Sequence, residues 1–174
     1  MIRIYPLIFI LLWSSAFITT KPIVDNSDPF AALAFRFFFV ALGFYFFSFY
    51  LNQSLITNKR KIAEAVLSGV LFHGFYLGGV FYSISIGMPV GIAALIVTLQ
   101  PVLTNILSGP ILDEKITIQQ WIGVLLGFTG ASLVLGIDIG SGIPLLGLIA
   151  TVIALLSITT VSYTHLTLPT IPTV

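Results

Sequence analysis

Charge is what this sequence has least of. Seven basic and six acidic side chains serve 174 residues, 7% of the chain, where a soluble domain carries about a quarter. So few ions cannot cover a water-facing surface, so most of the surface must meet lipid. Nucleic acid is excluded as a partner, because a net charge of +1 without a basic patch cannot grip phosphates. Cysteine is absent, which rules out disulfide frameworks and thiolate–metal sites and leaves the redox compartment unread. There is no phosphate-cradling P-loop, no dinucleotide fingerprint and no H-E-x-x-H pair. No catalytic residue, cofactor or metal is therefore assigned.

What is present is apolar: 57% hydrophobic residues at a mean hydropathy of +1.12. A helix needs about 20 such residues to cross the hydrocarbon core, and polar punctuation divides the chain into six candidates. They run from about Ile4 to Pro22, Pro29 to Leu51, Ile62 to Ile86, Pro89 to Leu112, Ile118 to Ile137, and onward from Pro144. The class expected is an all-α, polytopic membrane helix bundle. Ile4 to Thr19 is not a cleaved signal peptide, since further spans follow and no A-x-A site closes it. Asp28-Pro29 is an N-cap followed by proline at the first helical position. Thr117 and Gln120 fit a capping box, and Gly136 to Gly142 supplies a turn.

Orientation follows from the Lys and Arg residues near the span ends. Arg3, Lys59, Arg60, Lys61 and Lys115 fall on one side, Lys21 on the other, and Arg36 inside a span. That asymmetry puts the N-terminus in the cytoplasm and the chain in the inner membrane. The glycosylation sequon Asn52-Gln53-Ser54 then faces the cytoplasm, where it is unused.

Several runs carry a family resemblance. Trp13-Ser14-Ser15-Ala16-Phe17 resembles the W-G-S-x-F opening of EamA-type transporters of the drug/metabolite transporter superfamily. Asp28-Pro29 with Phe35-Arg36-Phe37 is similar to that family's second helix. Gln100-Pro101-Val102, Asp113-Glu114-Lys115-Ile116-Thr117, Gln120-Trp121-Ile122-Gly123 and Gly127-Phe128-Thr129-Gly130 stand in the family's order and spacing. The resemblance covers about Tyr5 to Thr160. It implies ten helices in two five-helix halves, the second entering the membrane inverted. By that plan residues 1–137 form the first five-helix repeat and 138–160 the first helix of the second repeat, cut short. Val161 to Thr170 matches the translation expected from a transposase-based library adaptor, GTC TCT TAT ACA CAT CTG ACG CTG CCG ACG; the alternative is a natural polar tail. Residues 161–174 are accordingly set aside as an adaptor-derived tail, and His165 is given no role.

Polar groups inside a bilayer are costly unless paired or wet, and so mark candidate sites. By helical rise, Trp13, Ser14 and Ser15 lie about 14 Å from the cytoplasmic end, His73 about 16 Å from it, and Gln100 about 15 Å from the outer end. All three groups fall near the midplane, where carriers hold substrate. Arg36 lies about 10 Å below the outer surface; it either attracts an anionic group or snorkels to the interface. His73 is a proton-linked group or hydrogen-bond donor to substrate, or a neutral imidazole bonded to a neighbouring helix. Pro101 cannot donate to the Val97 carbonyl, so the fourth span should bend. Gln100 then either joins the substrate site or faces away, with Thr98 satisfying the freed backbone. Trp13 is core packing or an aromatic wall. Gly74-x-x-x-Gly78 and Gly123-x-x-x-Gly127-x-x-x-Ala131 are strips for close helix approach, as packing seams or sliding surfaces. Glu64 is expected to stabilise the start of the third span, while Asp113 to Lys115 form a solvated loop.

The function these features support is a secondary carrier exporting small metabolites or amino-acid-like solutes by alternating access, its partners a small-molecule substrate and the lipid bilayer. With no nucleotide motif, its energy comes from an ion or solute gradient. A membrane-embedded enzyme would need clustered His, Asp, Glu or Cys, and His73 stands alone. A non-catalytic membrane partner or a small channel built from identical chains is the remaining alternative, so homo-oligomerisation is left open.

Overall fold

The computed structural model describes residues 4–52, 58–112, 117–135 and 142–167. Arg3, the Asp113–Lys115 loop, most of the Gly136–Gly142 turn, Gln53 and Ser54 of the sequon, the side chain of His165 and the last seven residues lie outside these. Among the described residues the chain is helical. Its elements are α1 (Ile4–Asn26), α2 (Pro29–Tyr50), α3 (Lys59–Gly69), a π-helical segment (Val70–Leu77), α4 (Gly78–Ser85), α5 (Val90–Val97), α6 (Gln100–Leu112), α7 (Ile118–Leu135) and α8 (Leu145–Thr167). Six helical stretches thus stand where the punctuation predicts them, because α3, the π segment and α4 are continuous and α5 and α6 share the fourth span. Four stretches are long and apolar enough to cross a membrane unaided: Ile4–Asn26, Pro29–Tyr50, Lys59–Ser85 and Leu145–Tyr163. The fourth span is broken, and α7, with 18 residues, extends about 27 Å, just under a hydrocarbon core of about 30 Å.

The helix ends show why the elements start and stop there. Asp28 accepts the Phe30 and Ala31 amides at 2.9 Å each, with Pro29 in the first turn of α2. At α7, the Thr117 amide donates to Gln120 Oε1 at 2.8 Å while the Gln120 amide donates to Thr117 Oγ1 at 3.3 Å, a reciprocal capping box. Asn58 caps α3 by accepting the Arg60 amide, so that helix begins at Lys59 rather than Ile62. Glu64 is consequently a turn further in, bonded to Arg60 Nε at 2.9 Å. The first helix passes through Pro22 to Asn26 instead of ending there. Asn26 Nδ2 and Ser27 Oγ donate to the Pro22 and Ile23 carbonyls, which satisfies acceptors that a helix end otherwise exposes.

Between α4 and α5 the chain reverses at Gly87, whose φ is +97°. The Gly87 amide donates to the Ile84 carbonyl and the Met88 amide to the Ser83 carbonyl, a Schellman motif in which glycine takes the left-handed position. The fourth span breaks at Thr98–Leu99. The Thr98 hydroxyl bonds the Leu95 carbonyl, and Pro101 falls in the first turn of α6, where its missing N–H costs little.

The core lies around α8, which packs on the π segment, α4, α5 and α6. Tyr76, Val80, Ile84, Met88, Ala93, Val97, Ala154 and Ile158 form its buried cluster. Small residues let the backbones meet. A Cβ on Gly79 would stand 2.8 Å from the Ala150 carbonyl oxygen and 3.2 Å from the Ala154 Cβ, and one on Gly147 3.3 Å from the Met88 Cβ. Buried hydroxyls at Ser83, Thr151 and Thr159 bond carbonyls one turn back in their own helices, so they enter the apolar interior satisfied. The close seam is therefore Gly79 against α8. Gly78 makes ordinary contact with Phe30, whereas Gly123 and Gly127 face open space; small-residue spacing alone does not say which strip finds a partner.

Helix α8 continues past Thr160 to Thr167. Val161 to Thr167 contains neither Pro nor Gly to stop it. Val161 and Tyr163 are buried. Ser162 accepts from Gln100, and the Tyr163 hydroxyl donates to the Thr104 carbonyl.

Candidate functional site

A cavity of about 340 Å³ opens between α1, α2 and the third span. This volume is within the range of about 300–1,000 Å³ typical of small-molecule sites. From α1 it takes Phe9, Leu12, Trp13, Ala16, Phe17 and Thr20, the i, i+3, i+4, i+7 stripe of one helix face. Arg36, Phe37 and Val40 come from α2. The third span adds Phe72, His73, Tyr76, Leu77, Val80 and Phe81.

The third-span residues form two ladders of spacing four, 72–76–80 and 73–77–81. The α-helical α1 lines the cavity at the same spacing, 9–13–17 and 12–16–20, so residues four apart stay on one side over these two turns. Val70–Leu77 differs from it in winding, with the i to i+5 bonds of a π-helix. Phe72 and Tyr76 rings lie 5.3 Å apart along one ladder. His73 is held between aromatic faces, 4.3 Å from the Phe37 ring of α2 and 5.0 Å from Phe72. Among the described residues the imidazole makes no hydrogen bond, so ring contact rather than a polar partner positions it. The Arg36 guanidinium carbon stands 6.0 Å from the Phe37 centroid, and no carboxylate pairs with it among the described residues. Trp13 stacks on Phe9 at 5.6 Å, while Thr20 is buried and bonds the Ala16 carbonyl at 2.7 Å.

Trp13, Arg36 and His73 thus share one wall, although they come from three different helices. Ser14 and Ser15 lie beside it on α1, outside the lining, with Ser15 Oγ donating to the Leu12 carbonyl. Gln100 is elsewhere: its Nε2 donates to Ser162 Oγ at 2.9 Å, linking α6 to α8. Pro101 borders a separate groove with Thr98, Gln120, Gly123 and Gly127. Thr20 and Tyr76 were missed by sequence reasoning, yet a signal existed: Thr20 is seven residues from Trp13 and Tyr76 three from His73, both same-face spacings. Among the described residues no three His, Asp or Glu side chains gather to hold a metal ion.

The family model for the EamA-like transporter family matches residues 3–136, most of the chain. The chain belongs to that family. As a member it is a multi-pass membrane protein, in keeping with its apolar helices. Among curated proteins, this EamA-like chain is 31% identical over 88 residues to the "Uncharacterized transporter YvbV" of Bacillus subtilis (strain 168). That alignment covers 51% of the chain and 27% of the relative, so the chain spans about a quarter of the length of the curated relative it matches. No solved structure matches. The family and the relative's name point to a transporter rather than an enzyme.

Proposed function

We propose that the chain serves a secondary transporter that exports small metabolites or amino-acid-like solutes across the inner membrane by alternating access. Its N-terminus lies in the cytoplasm, and Trp13, Arg36 and His73 contact the substrate. The observation that carries this reading is the cavity, where an aromatic wall, a cation and an imidazole from three helices meet in a space of small-molecule size. In a membrane protein such groups are costly unless they meet water, a partner or a ligand. The excess of Lys and Arg at Arg3, Lys59–Lys61 and Lys115 supports the orientation. Gradient-driven exchange fits a chain without a nucleotide motif.

The test is flux of labelled amino acids and organic acids from proteoliposomes containing the full gene product. Arg36→Ala and His73→Ala should each lower the initial rate about 10-fold or more, the scale of about 1.4 kcal/mol of lost substrate interaction. Gln100→Ala should have a smaller effect, because Gln100 lies outside the lining of the cavity. Unchanged flux in both Arg36→Ala and His73→Ala would remove the site assignment.

A further inference from the structure

We propose that this cavity selects an aromatic monoanion, an arylalkyl carboxylate, over the zwitterion or the amine bearing the same ring. The inference rests on reading the cavity as the transport site. Three observations on the wall lead to it. The lining is dominated by rings, with Trp13 and Phe9 stacked on one side and Phe37, Phe72 and Tyr76 on the other. Such faces accept a planar hydrophobic group edge-on or offset-stacked. The wall has one permanent cation, Arg36, and the guanidinium presents a planar fork matched to a carboxylate. Among the described residues it has no Asp or Glu in its lining.

The third observation decides between ligand classes. A zwitterion brings an ammonium group that must leave water, and a buried charge without a partner is penalised heavily. Among the described residues nothing anionic on the wall would compensate it, Arg36 would repel it, and protonation of His73 would add a second repelling charge. Aromatic faces attract cations on their own, but here the guanidinium carbon already stands 6.0 Å from the Phe37 centroid, and a second cation on this wall meets its charge. A monoanion meets the opposite situation: its carboxylate neutralises Arg36, and its ring displaces water from apolar surface. His73, lodged between Phe37 and Phe72, stands in the same wall as a hydrogen-bond donor for the second carboxylate oxygen.

The probes share one ring: phenylacetate, phenylalanine and phenethylamine. Binding is read from Trp13 emission in the full chain in lipid nanodiscs. A Trp121→Phe background makes Trp13 the sole tryptophan, since the chain has two. Phenylacetate should shift the emission saturably, with a Kd at least 10-fold below that of phenylalanine, and phenethylamine should give no saturable change. Arg36→Gln should weaken phenylacetate at least 10-fold, while Arg36→Lys, which keeps the charge and loses the fork, should weaken it less. Helical circular dichroism and gel filtration identify a misfolded variant, and the ranking of the three probes on the Trp121→Phe protein decides the matter without either Arg36 variant. Phenylalanine or phenethylamine binding as tightly as phenylacetate overturns the inference. So does phenylacetate binding that survives Arg36→Gln, or no response to any probe. Failure of the transport reading is distinguishable: it leaves saturable phenylacetate binding but no flux of any probe from proteoliposomes, whereas failure of the selectivity leaves flux without preference.

Discussion

Asp28 illustrates what a single side chain contributes in this molecule. One carboxylate oxygen accepts two amides of the first turn of α2, and that turn starts a helix whose side chains are mostly exposed and gain little from packing within the chain. Asp28→Ala should therefore cost about 1 kcal/mol, the usual loss for an N-cap, seen as a lower midpoint in thermal unfolding followed by helical circular dichroism in detergent. Such residues were legible in the sequence because their chemistry is local: Asp28 needs only Pro29 after it, and Thr117 only Gln120. Gln100 was not. Whether its amide faced a substrate cavity or another helix depended on the rotation of α6 after the Thr98–Leu99 break, and a break of two residues leaves that rotation unspecified. Side chains at His73 and Phe37 meet across 36 residues of chain, a pairing that no local spacing encodes.

At the scale of elements, glycine separates the seams from the open faces. Gly79→Leu would drive a side chain into the Ala150 carbonyl and Ala154, where the backbone oxygen cannot yield. Overpacking of this kind costs about 1–3 kcal/mol, so the variant should melt earlier in detergent and lose the α4–α8 contact. Gly123→Ala and Gly127→Ala meet nothing within 4 Å and should raise the midpoint, each gaining helix propensity of up to about 1 kcal/mol. If Gly123→Ala were the damaging variant and Gly79→Leu silent, the placement of α8 at the centre would be wrong. The six helical stretches were legible because a period of apolar residues and a few caps fix them. The π segment was hidden: V-L-F-H-G-F-Y-L has the composition of any apolar helix, and its four-residue spacing on the cavity is the same as that of the α-helical α1.

For the whole molecule, absent cysteine becomes an experimental advantage. A single cysteine placed at Asn58 or at Ser27 in the native background of none has no competing thiol. With the N-terminus in the cytoplasm, an impermeant maleimide applied to intact cells should label Ser27→Cys and spare Asn58→Cys until the membrane is opened; the reverse pattern inverts the topology. The membrane class and the family were legible in composition and motif order, whereas the central position of α8 was not, because its apolar face looks no different from that of α2. The π segment has a consequence at this scale too. It lies between α3 and α4, and like α4 it packs on α8. Phe72 and His73 therefore stand on a stretch that belongs to the core on one side and to the cavity on the other. The third span is in that sense a party wall, and a change in its winding would be felt in both rooms.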